Sequence, residues 1–120
     1  RRVGGTVPRA RNLIPLALAL ALVAGCSKHV PRDESAALQA RSQALIEAGN
    51  TAYRAHDYGT AAKRYAAAAV VKQDDPAAYF GLGMALTRLG RDEDARAAYT
   101  HARELAERAR AGADSAAAGR

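Results

Sequence analysis

Hydrophobic and polar residues divide the chain into two parts with different patterns. Residues 13–23 form one uninterrupted uncharged run, in which Leu and Ala alternate for most of its length and no polar face exists. From Asp33 onward Ala is spread throughout, β-branched residues are scarce, and no segment alternates as a half-buried strand does. The second part is therefore predicted to be all-α. Its helices are expected near 34–55, 58–72, 77–89 and 92–110, followed by a polar, frayed tail.

The first 25 residues have the features of a secretory signal. Four Arg and no acidic residue precede the eleven-residue apolar run, which ends in the small residues Ala24 and Gly25. The run is too short to cross a bilayer, because a spanning helix needs about 20 apolar residues. The alternative, that this run is a buried helix of a folded domain, is disfavoured. The run follows a basic segment and has no polar face.

The end of this segment, Leu22-Val23-Ala24-Gly25-Cys26, resembles the lipobox of bacterial lipoproteins. In that family the cysteine sulfur receives a diacylglyceryl group and the chain is cleaved before it, so the resemblance implies lipidation of Cys26. Ser27 implies sorting to the outer membrane, because an Asp at that position favours retention in the inner membrane. The expected location is the cell envelope, on the periplasmic side of an outer membrane. An ordinary signal peptide with an incidental cysteine is the alternative.

Charge and cysteine content exclude several classes of protein. The formal net charge is +6, but the four Arg of residues 1–25 contribute +4 of it. Residues 26–120 carry 14 basic and 12 acidic residues, a net +2, with no basic stripe of the kind that nucleic acids require. A single Cys excludes an internal disulfide framework and a Cys-rich zinc site.

The predicted helical part contains an internal repeat of 34 residues. The pairs that recur at this offset are Gly49 and Gly83, Ala61 and Ala95, Tyr65 and Tyr99, and Ala68 and Ala102, together with Ala44 and Ala78, and Arg54 and Arg88. These residues and spacings resemble the tetratricopeptide repeat (TPR), a helix-turn-helix unit. The resemblance implies two repeats at 42–75 and 76–109, a short α-solenoid, with a tether and helical lead-in at 26–41 and a tail at 110–120. The alternative is a pair of helical hairpins in which residues recur at the 34-residue spacing by chance.

Packing and helix ends can be predicted from the same residues. Gly49 and Gly83 are expected to face Ala61 and Ala95, with the two repeat tyrosines filling the space beyond. Asp57 and Asp75-Pro76 are typical N-terminal caps, and Gly90 is a typical C-terminal cap. The first repeat departs from the family, because His56 stands where the turn between the helices usually has Gly. Residues 34–41 are expected to extend the first helix as its cap.

The family resemblance also implies a groove that binds peptides or helices, lined by five positions of each first helix. Carried over to this chain, they are Gln43, Ile46, Asn50, Tyr53 and Arg54, then Ala77, Phe80, Met84, Thr87 and Arg88. Spacings of three and four place each set on one helical face. Phe80 and Met84 are the only Phe and Met of the chain. The alternative is that the helical segment before Ser42 or a second copy covers these side chains.

Groups for catalysis or metal binding are few. Ile46 stands where the carboxylate-binding version of the family has Lys, so a carboxylate clamp is not expected. His101 and Glu104, three residues apart on a helix, offer two metal ligands, but the spacing provides no third. The sequence therefore predicts no enzyme, no cofactor and no metal.

The expected function is a non-catalytic, lipid-anchored TPR scaffold for a protein or peptide partner in envelope assembly, in pilus, secretion or outer-membrane-protein machinery. One alternative is a targeting chaperone of the pilotin kind, which carries an outer-membrane subunit to its site. Another is an oligomeric structural lipoprotein whose apolar face is buried in a homo-oligomer. Two repeats bury little surface, so we expect a marginally stable fold that gains from self-association or from a bound partner.

Overall fold

The computed structural model describes residues 32–120 together with Gly4, and residues 32–120 form four α-helices. The helices are α1 (Arg32–Arg54), α2 (Tyr58–Val71), α3 (Pro76–Arg88) and α4 (Asp92–Ala118). No strand occurs within residues 32–120, and the all-α prediction is confirmed. Apart from Gly4, the predicted signal segment lies outside the described residues, and so do Cys26 and residues 27–31.

The four helices pack as two consecutive hairpins. α1 packs along α2, α3 packs along α4, and α3 also lies against α2 and, over a smaller area, against α1. The side chains buried at these contacts are mostly Ala, so the helices approach each other closely. The larger buried hydrophobic residues are Ile46, Tyr65, Leu86 and Leu105.

The same backbone motif closes both hairpins. His56 and Gly90, which are equivalent positions of the two repeats, both adopt the left-handed conformation, with φ of 61° and 73°. In the first turn the His56 N–H donates to the Tyr53 carbonyl at 3.0 Å, and the Asp57 N–H donates to the Ala52 carbonyl at 2.9 Å. The second turn repeats both bonds. His56 therefore keeps the turn that Gly usually makes, at a conformational cost of about 1–2 kcal/mol.

The predicted helix caps are confirmed. The Asp57 carboxylate accepts a hydrogen bond from the Thr60 N–H at 3.1 Å at the start of α2, and this bond lowers the pKa of Asp57. The Asp75 carboxylate accepts from the Ala77 N–H at 2.9 Å, and Pro76 occupies the first position of α3, where no intrahelical N–H bond is lost.

The ring of Tyr65 on α2 is clamped between two other helices. A Cβ on Gly49 of α1 would lie 2.8 Å from Tyr65 Cε1, and a Cβ on Gly81 of α3 would lie 2.8 Å from Tyr65 Cζ and closer still to two other ring atoms. Only 1% of Tyr65 is exposed, and its hydroxyl donates to Asn50 Oδ1 at 2.7 Å. The atoms nearest to a Cβ on Gly49 thus belong to the ring of the tyrosine of its own repeat.

The second repeat has only half of this clamp. A Cβ on Gly83 would lie 2.8 Å from Tyr99 Cδ1, so the glycine and the tyrosine of the repeat meet as in the first repeat. No further helix within residues 32–120 lies on the other side of the ring, and Tyr99 remains half-buried. Within residues 32–120, this side of the second repeat is therefore uncovered.

Both ends of the helical region extend beyond the packed core. α4 continues to Ala118, so the predicted frayed tail is wrong: residues 107–118 are helical, although all are exposed. Five Ala among residues 111–118 explain the difference, because Ala has the highest intrinsic helix propensity. Residues 34–41 extend α1 as expected, but only Gln39 among them is even half-buried, so this lead-in does not cover the core.

Because Gly81 lies directly against the Tyr65 ring, one added methyl group at this position is expected to destabilise the fold strongly. Gly81→Ala places a Cβ against the buried Tyr65 ring and is expected to lower the free energy of unfolding by about 1–3 kcal/mol. Gly59→Ala is the matched control, because a Cβ there meets nothing within 4 Å. It is expected to leave stability unchanged or raise it by up to about 1 kcal/mol. Urea unfolding followed by circular dichroism measures both, and equal losses contradict the clamp.

The Tyr65 hydroxyl predicts a second difference between the repeats. Tyr65→Phe removes the bond to Asn50 and is expected to destabilise the fold by about 0.5–1.5 kcal/mol. Tyr99→Phe is the control, because the Tyr99 hydroxyl makes no hydrogen bond within residues 32–120 and Met84 stands in the position of Asn50. The same urea titrations test this pair. A loss in Tyr99→Phe as large as in Tyr65→Phe argues that the hydroxyl bond contributes nothing.

Candidate partner-binding surface

The ten residues predicted to line a groove differ in accessibility. Six are exposed, three are half-buried and one is buried. The exposed residues are Gln43, Arg54, Ala77, Phe80, Thr87 and Arg88; Asn50, Tyr53 and Met84 are half-buried, and Ile46 is buried. We call the nine accessible positions the α1–α3 face.

Ile46 belongs to the core rather than to a binding surface. Its side chain is 8% exposed and lies in the buried cluster that contains Tyr65 and Ala78. Because α3 carries Ala78 onto this cluster, the helix of the following repeat covers the position. Ile46 is therefore not part of an open groove, and α3 covers it rather than the helical segment before Ser42 or a second copy.

Asn50 also serves the fold, because its side-chain oxygen accepts the hydrogen bond from the buried Tyr65 hydroxyl. Burial raises the pKa of Tyr65, so this hydroxyl stays protonated and remains a donor. The amide nitrogen of Asn50 is the part of this side chain left to contact a partner.

A cluster of aromatic and basic side chains lies at the far end of α3. The rings of Tyr53 and Tyr58 meet edge to face at 5.1 Å between centroids. Arg88 donates to the Tyr58 hydroxyl at 2.6 Å, and its guanidinium lies 4.8 Å from the Tyr58 ring centroid. The same hydroxyl lies 2.7 Å from His56 Nδ1. The contact between Arg88 and Tyr58 links the second repeat to the turn of the first.

The sequence prediction included Tyr53 and Arg88 but missed Tyr58 and His56. The 34-residue offset places Asp92 at the position of Tyr58 and Gly90 at that of His56, so the repeat pattern contains no signal for a cluster here. Proximity in the folded chain brings these side chains together.

The other end of α3 borders an apolar cleft. Phe80 is 53% exposed, and its ring meets the Tyr99 ring at 5.5 Å between centroids. The cleft has a volume of about 760 Å³. Its apolar walls are Pro76, Ala77 and Phe80 of α3 and Tyr99, Ala102 and Ala106 of α4. Arg96, Thr100 and Arg103 complete the lining, and we call this site the α3–α4 cleft.

The side chains on these surfaces are mostly aromatic, apolar or basic. Aromatic rings, a thioether and Arg side chains offer apolar area and hydrogen bonds to a partner. Within residues 32–120, no three His, Cys, Asp or Glu side chains are grouped as a metal site. His101 Nδ1 and Glu104 Oε2, the pair singled out from the sequence, lie 3.9 Å apart on α4, and the His101 ring meets the Tyr79 ring of α3 at 4.3 Å between centroids.

None of helices α1–α4 combines the length and the hydropathy needed to pass through a bilayer. The membrane attachment predicted from the sequence depends on Cys26, which is outside the described residues.

Comparison with known proteins identifies the second hairpin. Residues 76–109 match the family model of the tetratricopeptide repeat. No curated protein and no solved structure significantly matches the chain. Such repeats generally mediate protein–protein interaction and are typically non-catalytic. The matched segment has the bounds predicted for the second repeat and contains α3 and most of α4, so the described chain is an all-α, TPR-like helical repeat.

Proposed function

We propose that this chain is a lipid-anchored, non-catalytic adaptor of the bacterial cell envelope that binds a protein partner through the α1–α3 face. The observation that carries the proposal is the exposure of Phe80, at 53%, with Met84 one helical turn away, on a repeat of a type that commonly binds proteins. An aromatic ring and a flexible thioether on one exposed face suit an adaptable apolar contact.

The polar end of the α1–α3 face adds specificity to this contact. Tyr and Arg are enriched at protein interfaces and often dominate their binding energy. Arg88 is held by the Tyr58 hydroxyl and ring, so its guanidinium is partly ordered before a partner arrives. Less side-chain entropy is then lost on binding, and the remaining guanidinium donors favour an acidic or carbonyl-rich partner segment.

The place of action follows from the lipobox resemblance. Acyl chains on Cys26 anchor a protein firmly, because each buried methylene contributes about 0.8 kcal/mol. Ser27 supports sorting to the outer membrane, with the repeats on the periplasmic side. An adaptor in this position serves envelope assembly in pilus, secretion or outer-membrane-protein machinery. Its partner stays bound in the finished complex, whereas the client of a targeting chaperone leaves.

Truncating the exposed apolar side chains is expected to remove one partner. The double variant Phe80→Ala, Met84→Ala is compared with the wild-type chain, each expressed behind an initiator methionine in a double-membrane bacterium. After crosslinking in the envelope fraction, mass spectrometry identifies the proteins that co-purify. We expect at least a tenfold loss of one specific partner, because interface anchors of this kind contribute on the order of 2 kcal/mol.

The matched control removes exposed apolar area elsewhere. Leu38→Ala, Val70→Ala truncates two side chains that are 40% and 75% exposed and lie outside the α1–α3 face. This variant is expected to keep every partner. Unchanged partners in the Phe80, Met84 variant, with its helicity intact by circular dichroism, contradict binding at this face. A concentration-dependent mass in light scattering, abolished by the same variant, supports the oligomeric alternative instead.

The lipid anchor is tested separately. Cys26→Ser is expected to abolish labelling by radioactive palmitate and to release the chain from the membrane fraction. Ser27→Asp is the matched variant: it is expected to keep the label but to move the chain from outer-membrane to inner-membrane fractions on a sucrose gradient. Label retained in Cys26→Ser contradicts the lipidation, and an unchanged gradient position in Ser27→Asp contradicts the sorting.

A further inference from the structure

The α3–α4 cleft has a covered counterpart inside the same molecule. The residues 34 positions earlier include Ile46, Tyr65 and Ala68, which correspond to Phe80, Tyr99 and Ala102. In the first repeat all three are buried, and Ala78 and Ala85 of α3 belong to the same cluster. In the second repeat Ala102 is buried as well, but Phe80 and Tyr99 are not. The chain thus shows how one surface of this shape is filled: by an α-helix.

The contact between α3 and the first repeat requires small residues on α3. Gly81 of α3 lies against the Tyr65 ring so closely that a Cβ would collide with it. Ala78 and Ala85, on the same stripe of α3, are fully buried in the same cluster. A helix that docks on such a tyrosine therefore presents a stripe of small residues, with glycine or alanine over the ring.

The equivalent surface of the second repeat is open within residues 32–120. Phe80 is 53% exposed, whereas Ile46 at the same repeat position is 8% exposed. Tyr99 is half-buried, whereas Tyr65 is 1% exposed. α4 runs as one continuous helix to Ala118 and does not fold back over the cleft.

Charge distinguishes the open surface from the covered one. Arg96 and Arg103 flank the cleft, and Ala62 and Ala69 are their counterparts in the first repeat. Neither Arg takes part in an ion pair within residues 32–120. The first-repeat surface suits a permanently buried contact, while the second suits an occupant whose acidic residues meet two guanidinium groups.

Head-to-tail stacking of a second copy does not fit this geometry. In such stacking α1 of the next copy takes the place that α3 takes on the first repeat. The α1 residue equivalent to Gly81 is Glu47, and even a Cβ at that position collides with the tyrosine ring. The occupant is therefore not α1 of another copy placed in the same way.

We propose that the α3–α4 cleft docks an amphipathic α-helix of a partner protein, which places a small residue over Tyr99 and acidic residues opposite Arg96 and Arg103. This inference rests on the proposed interaction function and specifies the partner for one part of its surface. The docked helix completes the half-clamp around Tyr99 in the way that α3 completes the clamp around Tyr65. It also covers Phe80, so binding removes the largest exposed aromatic group of the chain from water.

The probes are peptides made from α3 itself. Fluorescein-labelled peptides of residues 74–90 carry either Glu or Lys at positions 77, 87 and 88, which are exposed in the chain and lie outside the docking stripe. Fluorescence anisotropy measures their binding to the purified chain of 120 residues. The Glu peptide is expected to bind about tenfold more tightly than the Lys peptide. Added salt is expected to reduce this difference in affinity, because it screens the charges.

Two variants locate the contact. Arg96→Glu, Arg103→Glu in the protein changes only exposed side chains and is expected to reverse the preference, so that the Lys peptide binds more tightly. Gly81→Leu in the Glu peptide places a bulky side chain over Tyr99 and is expected to weaken binding at least tenfold. Circular dichroism checks that the protein variant keeps its helicity.

Three results overturn the proposal. They are no binding of either peptide, a peptide preference that the Arg variant leaves unchanged, and a dimer in light scattering that the Arg variant dissociates, since a second copy is then the occupant. The adaptor function is judged independently by the envelope crosslinks. If the Phe80, Met84 variant loses its partner while the Arg96, Arg103 variant keeps it, the adaptor remains and the helix-docking proposal fails.

Discussion

The ring of Tyr65 stands where three helices meet, and the arrangement of the whole repeat depends on the space left for it. α1 and α3 each present a glycine to one side of the ring, and α2 carries the ring between them. Because neither glycine has a side chain, the two first helices approach α2 closely enough for small alanine residues to fill the rest of the core. The hydroxyl bond to Asn50 then fixes the orientation of the ring.

The second repeat has the same glycine and tyrosine, but no described helix packs on the other side of the tyrosine ring. Tyr99 has Gly83 on one side and no described helix on the other, so aromatic surface that is buried in the first repeat stays accessible in the second. The proposed binding surface and the incompletely covered core therefore consist of the same residues. A partner that covers Phe80 and Tyr99 adds apolar burial to a fold that has few large buried side chains, and so stabilises the chain as it binds.

Local signals made much of the fold predictable. Asp57 and Asp75 cap helices as their positions indicated, and Gly90 adopts the left-handed conformation expected after a helix. These features depend on hydrogen bonds between residues close in the sequence, so a short stretch of sequence is enough to predict them. The end of α4 was not predicted, because polar composition suggested fraying where the high helix propensity of alanine prevails.

The sequence by itself determined the helical class, the two repeat units and the residues that recur in them, because identities at a constant spacing report a unit that folds the same way each time. Exposure was decided only by tertiary structure. Ile46 and Phe80 hold the same position in their repeats, yet one is core and the other surface, since within residues 32–120 a following helix covers only the first. The cluster of Tyr58 and Arg88 likewise arises from a contact across 30 residues. Burial depends on the neighbouring element in space, and no pattern within a single repeat contains that information.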